Sequence, residues 1–389
     1  MIAVGIDVGK RSHEACFLGP DGREVGRPLR FASNAAGARL LEERLGALGE
    51  PAAVALEASG RYWLGLQRRL AAGGVAVQVV NPLQVDAFRG TAIRRAKTDR
   101  RDAFVLADLV RIGRTRPNDV PDDLILQLRE LTRFRWGLAD RLGETKQRVL
   151  AVLDRTFPEF ADQFVDPFGT SARALLGRAA AAAEFAEIPL DELTALLERA
   201  SRKRFGADKA VALQRAAQDS LGLAALGPAA RLELDALLAQ VALLQAQIAQ
   251  ADAAVAELLA RTEQHLTSIP GVGPVLAATI LAEVGDVDRF PRPAALVAYA
   301  GLDPSVFESG QFQGRRQHIS KRGSPYLRRA LYLAAHSAQL RDPELAAFLR
   351  KKLDEGKPYK TAVVATARKL LLRVHAVLKE GRPYEPRGV

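Results

Sequence analysis

Residues 2–8 read IAVGIDV, and this stretch decides the fold of the N-terminal part of the chain. Its large apolar side chains occupy every second position, which is the period of a β-strand. The positions between them hold small residues and one acid, Asp7. The pattern predicts a strand with one face in an apolar core and a second, less bulky face that presents a carboxylate.

The sequence that follows this strand alternates between further strands and helices. Residues 13–32 fit two strands around a Pro-Asp-Gly turn, because Asp-Gly favours the backbone conformation of a hairpin. Periodicity then predicts helix, strand, helix and strand, in residues 34–49, 52–59, 61–74 and 75–82. This succession, with a helix after the fifth strand, predicts a mixed sheet flanked by helices, as in ribonuclease-H-like folds.

The remainder of the chain is predicted to be helical, so the fold class is α/β followed by α. A long helix covers residues 123–160, and an Ala-rich helical insert continues to about residue 225. Apolar residues then recur with 3,4 spacing, which predicts either a coiled-coil seam or a long antiparallel arm on the earlier helix. They are Leu234, Leu237, Val241, Leu244, Ile248, Ala251, Val255 and Leu258. We expect three domains, at 1–120, 121–262 and 263–389.

Composition limits the class of protein and of partner. A chain of 389 residues with 48% hydrophobic content can bury two or three cores, so it is not a disordered protein. The formal net charge of +11 indicates a polyanionic partner, for which nucleic acid is the leading candidate. Residues 1–16 lead directly into a strand pattern and contain neither the basic region nor the cleavable apolar core of a signal peptide. No run of about 18 apolar residues occurs elsewhere. We therefore expect a cytoplasmic protein.

The choice of metal ligands in this chain is narrow. The single cysteine, Cys16, excludes an internal disulfide and a cysteine-based zinc site. The five histidines lie too far apart in the sequence to form a histidine-ligand motif. Any metal must therefore be held by carboxylates, which favour Mg²⁺ or Mn²⁺.

Four acids fit such a site. Asp7 lies in the first predicted strand and Glu57 ends the fourth, and these strands are adjacent and parallel in a ribonuclease-H-like sheet. Residues 92–103, AIRRAKTDRRDA, place Asp99 and Asp102 three positions apart in the next helix. Close carboxylates repel by roughly 4 kcal/mol per pair at an effective dielectric constant near 20, so the cluster requires cations. Two divalent ions about 3.5–4 Å apart would supply them and would suit phosphodiester chemistry.

Each acid also has a simpler interpretation. Thr98 or Asp99 can cap the helix, with Asp102 in its first turn. Glu57 can cap a helix that begins near Gly60. The GIDVGK stretch around Asp7 also resembles the acid-glycine turn of sugar kinases and actin-like ATPases, but the second half of the chain offers no second copy of the sheet. The order of the four acids in the predicted topology favours the metal site.

Three regions of the sequence predict contacts with nucleic-acid phosphates. The turn PGVGP at 270–274 resembles a helix-hairpin-helix, whose N–H groups at Gly271 and Gly273 can face a phosphate, although tight-turn glycines would look the same. No acid occurs from Gln311 to Arg341, which leaves a basic tract that predicts salt-dependent binding. The predicted phosphate-binding cations are Arg94, Arg95, Lys97, Arg100 and Arg101 in the stretch 92–103, and Arg315, Arg316, Lys321, Arg322, Arg328 and Arg329 in this tract.

Six motifs in this order resemble the insertion-sequence-one-ten family of transposases, recombinases with a DEDD acid set that are guided by a bridge RNA. The motifs are GIDVGK, ALEASG, KTDRRDA, SIPGVGPVLAATILAEVGD, YAGLDPSVFESG and ISKRGSPYLRRALY. The resemblance covers essentially the whole chain. It implies an N-terminal domain similar to Holliday-junction resolvases, with Asp7, Glu57, Asp99 and Asp102 as metal ligands.

The resemblance also implies a C-terminal transposase domain with a nucleophilic serine. That serine falls in the ESG of the fifth motif and is Ser309. From the residues alone, Ser305 and Ser309 are two serines of one Gly-rich loop, and an ordinary loop serine is the simpler interpretation. The family further implies a homo-oligomer, a dimer or tetramer, in which the acids and the serine of different subunits meet.

The sequence therefore predicts a DNA transposase that uses Mg²⁺ or Mn²⁺, a serine nucleophile and a guide RNA. A metal-dependent nuclease or junction resolvase would use the same acids with water as the nucleophile. A non-enzymatic nucleic-acid-binding protein would tolerate the loss of every one of these carboxylates.

Overall fold

The computed structural model describes residues 1–58, 60–89, 98–115, 121–305, 308–309, 312–313 and 318–386, without the side chains of Leu83 and of 308–309 and 312–313. The chain divides into two compact units, residues 1–120 and 121–389.

The N-terminal unit is built on a five-stranded mixed sheet. Its strands are β1 (Ile2–Val8), β2 (Ser12–Leu18), β3 (Leu29–Ala32), β4 (Ala52–Glu57) and β5 (Ala76–Val80). They lie in the order β3-β2-β1-β4-β5. The first three strands pair antiparallel, whereas β1 with β4 and β4 with β5 pair parallel. The predicted mixed sheet, with the first and fourth strands adjacent and parallel, is thus confirmed.

Helices cover both faces of this sheet. They are α1 (Ala35–Gly46), α2 (Trp63–Ala72), α3 (Pro82–Arg89) and α4 (Asp99–Arg111). The bulky face of β1, with Val4 and Ile6, shares a core with the leucines of α1 and α2. The opposite face, with Ala3, shares a second core with α4. Cys16 is in that second core, where burial above all raises the pKa of its thiol to about 11.

The described part of the C-terminal unit is helical apart from one short hairpin. Its helices are α5 (Asp123–Thr156), α6 (Thr170–Leu176), α7 (Ala182–Glu187), α8 (Leu190–Ser201), α9 (Ala207–Gln218), α10 (Gly227–Ala260), α11 (Pro274–Val284), α12 (Pro293–Tyr299), α13 (Pro325–Ala338), α14 (Pro343–Asp354) and α15 (Tyr359–Glu380), and the hairpin is β6 (Glu308–Ser309) with β7 (Phe312–Gln313). Short 3₁₀ turns occupy Pro158–Gln163, Ala224–Leu226 and Leu266–Ser268.

The two longest helices, α5 and α10, form an antiparallel arm. Arg155 near the end of α5 bonds Glu233 near the start of α10 at 2.8 Å, whereas Arg135, earlier in α5, bonds Asp252, late in α10, at 2.8 Å. The antiparallel-arm alternative is therefore what the structure contains. By length and composition α10 is also the one described helix that could cross a membrane, which is weak evidence because the core helix of a soluble protein can pass the same test.

Two separate cores support the ends of this arm. The insert of α6 to α9 shares one core with the end of α5 and the start of α10, in which the rings of Phe157, Phe160 and Phe185 contact one another. The helices α11 to α15 share another core, to which the first turns of α5 and the last turns of α10 contribute Leu128 and Val255. The insert is therefore a small helical body that a shared hydrophobic core fixes to one end of the arm.

Candidate active site

Asp7 and Glu57 are neighbours at one end of the sheet. Ile6 pairs with Leu56 in the parallel ladder of β1 and β4, and the next residue of each strand is the acid. Strand alternation places both acids on the face that carries α4, because Ala3 of β1 and Ala55 of β4 belong to the core under that helix. The predicted register of the first two acids is therefore present.

Gly5 holds α4 against this end of β1. A Cβ atom built on Gly5 would lie 2.1 Å from the carbonyl oxygen of Ala103 and 2.2 Å from the backbone nitrogen of Ala107. Only glycine permits so close a contact between strand and helix. Since Asp102 directly precedes Ala103, this contact brings the third element of the predicted site to the strand that carries Asp7.

The first turn of α4 combines a cap with the two predicted ligands. Thr98 is the N-cap, and its hydroxyl oxygen accepts a hydrogen bond from the backbone N–H of Arg101 at 3.3 Å. Asp99 and Asp102 both lie in this first turn, where carboxylates interact favourably with the helix dipole. Asp99 is exposed, whereas Asp102 is only 5% exposed. Thr98 is therefore the N-cap of α4, as one of the two capping alternatives predicted. Neither Asp99 nor Asp102 is the capping residue, so both carboxylates are available for another role.

Asp102 is balanced by one arginine. The Nη2 atom of Arg89 lies 2.9 Å from Oδ1 of Asp102, and Nη1 of the same guanidinium donates to Asp86 at 2.8 Å. The Oδ1 atom of Asp102 and the Nε atom of Arg89 are nevertheless buried without a hydrogen bond of good geometry. The short distance therefore reflects charge attraction more than a directed hydrogen bond, and a buried carboxylate oxygen remains that could accept a cation.

The four acids have the donor type and the position in the fold that a divalent metal site requires. All are carboxylates, the donor type that Mg²⁺ and Mn²⁺ prefer, and Asp102 has an incompletely satisfied buried oxygen. Within the described residues, however, no group of three or more His, Cys, Asp or Glu side chains converges closely enough to hold a metal ion. The backbone brings the acids to one region of the sheet, but the described side chains do not form a complete set of metal ligands there.

The predictions for neighbouring residues have mixed outcomes. Glu57 does not cap the next helix, because α2 begins at Trp63 behind Tyr62 without a side-chain cap. Arg100 forms an exposed ion pair with Glu24 at 2.9 Å, and Arg101 is half-buried. Arg94, Arg95 and Lys97 lie outside the described residues.

Ser309 lies in the short hairpin of the C-terminal unit. Ser309 pairs with Phe312, and Glu308 pairs with Gln313. The described residues at the base of this loop are firmly bonded, with the Ser305 N–H donating to the His318 carbonyl at 2.7 Å and the Ser320 N–H donating to the Asp303 carbonyl at 2.8 Å. The backbone position of the predicted nucleophile is therefore on a tethered hairpin. Arg315 and Arg316 lie outside the described residues.

Glu283 anchors the segment that follows this hairpin, a role that the sequence pattern did not predict. The Glu283 side chain, 2% exposed, accepts two bonds from Arg133 of α5, at 2.7 and 3.0 Å. It also accepts a 2.8 Å bond from the hydroxyl of Ser324, the N-cap of α13. The one sequence signal for this network is an acid within the otherwise apolar stretch VLAATILAEV.

The predicted cations after the hairpin differ in their surroundings. Arg328 donates to the Ala300 carbonyl at 3.1 Å, and burial lowers the pKa of its guanidinium. Arg329 pairs with Asp140 and lies over the ring of Trp136, with 4.4 Å to the centroid. Both therefore have structural partners. The remaining two, Lys321 and Arg322, are exposed and form no ion pair with a described residue.

The two glycines of the helix-hairpin-helix-like turn also differ. Gly271 is buried, has a φ of 89°, and a Cβ there would lie 2.6 Å from backbone atoms of Ala334 and Ala338 in α13. Close packing explains this glycine. Gly273 is exposed at the N-cap of α11, which has no side-chain cap. The N–H groups that begin α11 are consistent with the predicted phosphate contact, which stays a prediction for both residues.

The fold agrees with the class of protein that the sequence predicts, a DNA recombinase. It has a mixed sheet with acids at adjacent strand ends, and a helical unit with a short hairpin that contains Ser309. Residues 4–158 match a family model for DEDD transposases of the IS110 type, and residues 263–350 match the transposase family IS116/IS110/IS902. A protein of insertion element IS116 from Streptomyces clavuligerus is 30% identical over 99% of this chain and 96% of its own. This chain belongs to the IS110 family of transposases, as its motifs predicted, and is a DNA transposase by family.

Two other relatives fit this assignment, and one solved structure is also similar to part of the chain. A protein of insertion element IS110 from Streptomyces coelicolor is 28% identical over 99% of this chain and 96% of its own. The pilin gene-inverting protein of Moraxella bovis is 32% identical over 31% of this chain and 38% of its own. The Thermus thermophilus RuvC structure with a Holliday junction substrate matches 30% of this chain and 99% of its own, at 17% identity and a TM-score of 0.24, too low a score to support an argument.

Proposed function

We propose that this transposase cuts and rejoins DNA through Ser309 and a divalent-metal site formed by Asp7, Glu57, Asp99 and Asp102. The observation that carries the metal half of the proposal is the Gly5 contact, which places the start of α4 beside the strand end that bears Asp7. The family match supports the use of this acid set in transposition.

The acids have separate tasks in this proposal. Asp7 and Glu57 bind from rigid strand ends, Asp102 binds from the buried side of α4, and exposed Asp99 closes the site from solvent. A bound Mg²⁺ or Mn²⁺ would stabilise negative charge on the oxygens of the reacting phosphate. Arg89, whose guanidinium lies 2.9 Å from Oδ1 of Asp102, would have to share or leave that carboxylate when a metal binds.

Ser309 is proposed as the nucleophile. Its hydroxyl loses a proton, its oxygen forms a bond to a DNA phosphorus, and the bond from that phosphorus to one deoxyribose oxygen breaks, with that oxygen taking up a proton. The phosphodiester count is unchanged, so the reverse attack by another DNA hydroxyl rejoins a strand without an external energy source. The tethered base of the hairpin supports this role, because a nucleophile must be held in one orientation.

Assembly and guidance complete the proposal. The acids and the serine belong to separate units, and a dimer or tetramer allows the acids of one copy to serve the serine of another. The arm supports such assembly, since α10 has no charged residue from Ala236 to Ala251 and exposes Leu243 by 58%. A coiled coil between copies would cover that surface. The net charge of +11 is consistent with a guide RNA as well as DNA, and with a cytoplasmic site of action.

A denaturing gel tests the nucleophile. The wild-type protein and Ser309→Ala are incubated with DNA ends of the element, candidate RNA and Mg²⁺, with Ser305→Ala as the matched control in the same loop. We expect a protein-linked DNA band in the wild type and in the control and none in Ser309→Ala. DNA cleavage that produces no protein-linked band and is unchanged in Ser309→Ala would indicate a nuclease that uses water as its nucleophile instead.

A further inference from the structure

The turn between α8 and α9 of the insert carries a cluster of unneutralised positive charge. Residues 199–207 read RASRKRFGA, with four cations and no acid. All four are exposed, and none forms an ion pair with a described residue: Arg199, Arg202, Lys203 and Arg204. Elsewhere in the insert Arg178 pairs with Glu192 at 2.7 Å.

The cluster contrasts with the charge of the rest of the insert. Residues 157–226 hold eight cations and ten acids, although the whole chain has a net charge of +11. Half of the cations of the insert therefore fall within six consecutive residues. Glu198 and Asp208 flank the cluster on either side. A surface that needed only solubility would not require such a concentration.

The backbone at the cluster adopts a conformation that glycine prefers. Arg202, at the C-cap of α8, has φ 55° and ψ 49°, and Lys203 has a φ of 62°. A non-glycine residue in this left-handed region costs roughly 1–2 kcal/mol, and helices that end this way usually have glycine there. The helix end uses only the backbone of these residues, through the bond from the Lys203 N–H to the Glu198 carbonyl at 2.8 Å. Arg202 and Lys203 thus occupy a backbone conformation that favours glycine, and their side chains form no ion pair with a described residue.

The positively charged cluster lies next to the N-terminus of α9 and to the aromatic rings of Phe205 and Phe164, which fix its position on the insert. The twelve-residue helix α9 begins after Gly206 without a side-chain cap, which leaves N–H groups of its first turn for an anion. Arg204 lies over the ring of Phe205 at 5.3 Å, and that ring contacts Phe164 of the insert core at 6.2 Å. Four cations beside a free helix N-terminus form a site for several phosphates rather than for one small anion.

We propose that this turn is a docking site of the transposase for the sugar-phosphate backbone of duplex DNA. The family's substrate is DNA, and extended DNA offers the row of phosphates that four neighbouring cations can contact. A lipid surface fits less well, because residues 199–209, all described, expose no large apolar side chain. The site lies in the sequence outside both family-matched segments and includes neither the four acids nor Ser309.

DNA binding by the full-length protein tests this site without any strand cleavage. The test variant is Arg202→Gly with Lys203→Gly, which relieves the left-handed strain and so should not lower the melting temperature. The control is Arg215→Gln with Arg261→Gln, which removes the same two charges from exposed positions elsewhere in the unit. Affinity for a radiolabelled duplex is measured between roughly 50 and 200 mM salt, the range over which phosphate contacts weaken strongly.

We expect the test variant to bind duplex DNA about ten-fold more weakly at 100 mM salt and its salt slope to fall by nearly two, with the control close to wild type. Equal affinity in the test variant and the wild type would overturn the docking site, and an equal loss in both variants would reduce it to a general charge effect. A selective loss of RNA binding, with DNA binding intact, would also overturn the proposal. Because no bond is cut, none of these outcomes depends on Ser309 or on the metal site.

Discussion

The acids of the N-terminal unit and the serine of the C-terminal unit are positioned by different kinds of structure. The acids lie on paired strands and on a helix that glycine allows into backbone contact, so their positions depend on the core of the unit. Ser309 lies in a two-residue strand whose support is a few backbone bonds at the loop base and the Glu283 network beyond it. Acids fixed by a core and a serine held on a tethered hairpin should therefore fail in different ways when their supports are changed.

The largest effect is expected from Asp102→Asn. The change removes one negative charge from the proposed metal ligand and retains its shape, so strand exchange should fall by roughly a thousandfold, comparable to losing a main electrostatic group of an active site. Asp108→Asn is the matched control, because Asp108 lies on the same helix and pairs with Arg111. Recombination assays on both variants provide the measurement, and wild-type activity of Asp102→Asn would contradict the metal site.

Gly5→Ala tests whether packing places the acids. The added Cβ would overlap the backbone of α4, so we expect the free energy of unfolding of the N-terminal unit to fall by about 3 kcal/mol. Gly65→Ala in α2 is the control, since a Cβ there meets nothing within 4 Å and should stabilise that helix by roughly 0.5–1 kcal/mol. Urea unfolding followed by circular dichroism measures both. An unchanged midpoint for Gly5→Ala would mean that α4 does not depend on this contact.

Some of this arrangement could be predicted from the sequence, and the reason is periodicity. The alternation around Asp7 and the strand that ends at Glu57 determine which faces they occupy, and the observed strand order confirmed that inference. The antiparallel arm was also anticipated, as one of two alternatives. Local pattern could not predict that Arg133 would reach Glu283, because the two are 150 residues apart and neither has a distinctive motif. It likewise gave no sign that Arg89 would pair with Asp102 or that Gly271 would pack on α13.

Glu283→Ala addresses the support on the serine side. It leaves Arg133 without its carboxylate partner and removes the acceptor of the Ser324 hydroxyl. Breaking a buried ion pair costs about 3–5 kcal/mol, but Arg133 is partly exposed, so we expect about 2 kcal/mol from thermal unfolding of the C-terminal unit. Glu283→Gln, which keeps the size and one acceptor oxygen, should lose less. Equal losses in the two variants would show that the charge of Glu283 contributes nothing.

The smallest effect concerns the arginine that neutralises Asp102. The Arg89 guanidinium lies 2.9 Å from Oδ1 of Asp102, so a divalent cation would have to compete with it for the same carboxylate. Arg89→Gln should therefore bind Mn²⁺ several-fold more tightly than the wild type in the absence of DNA, as measured by the loss of the free-ion signal in electron paramagnetic resonance. Arg100→Gln is the control, because Arg100 pairs with Glu24 instead. Weaker Mn²⁺ binding by Arg89→Gln would mean that Arg89 organises Asp102 for the metal rather than competing with it, and the acid site would then be more rigidly prepared than the ion pair alone indicates.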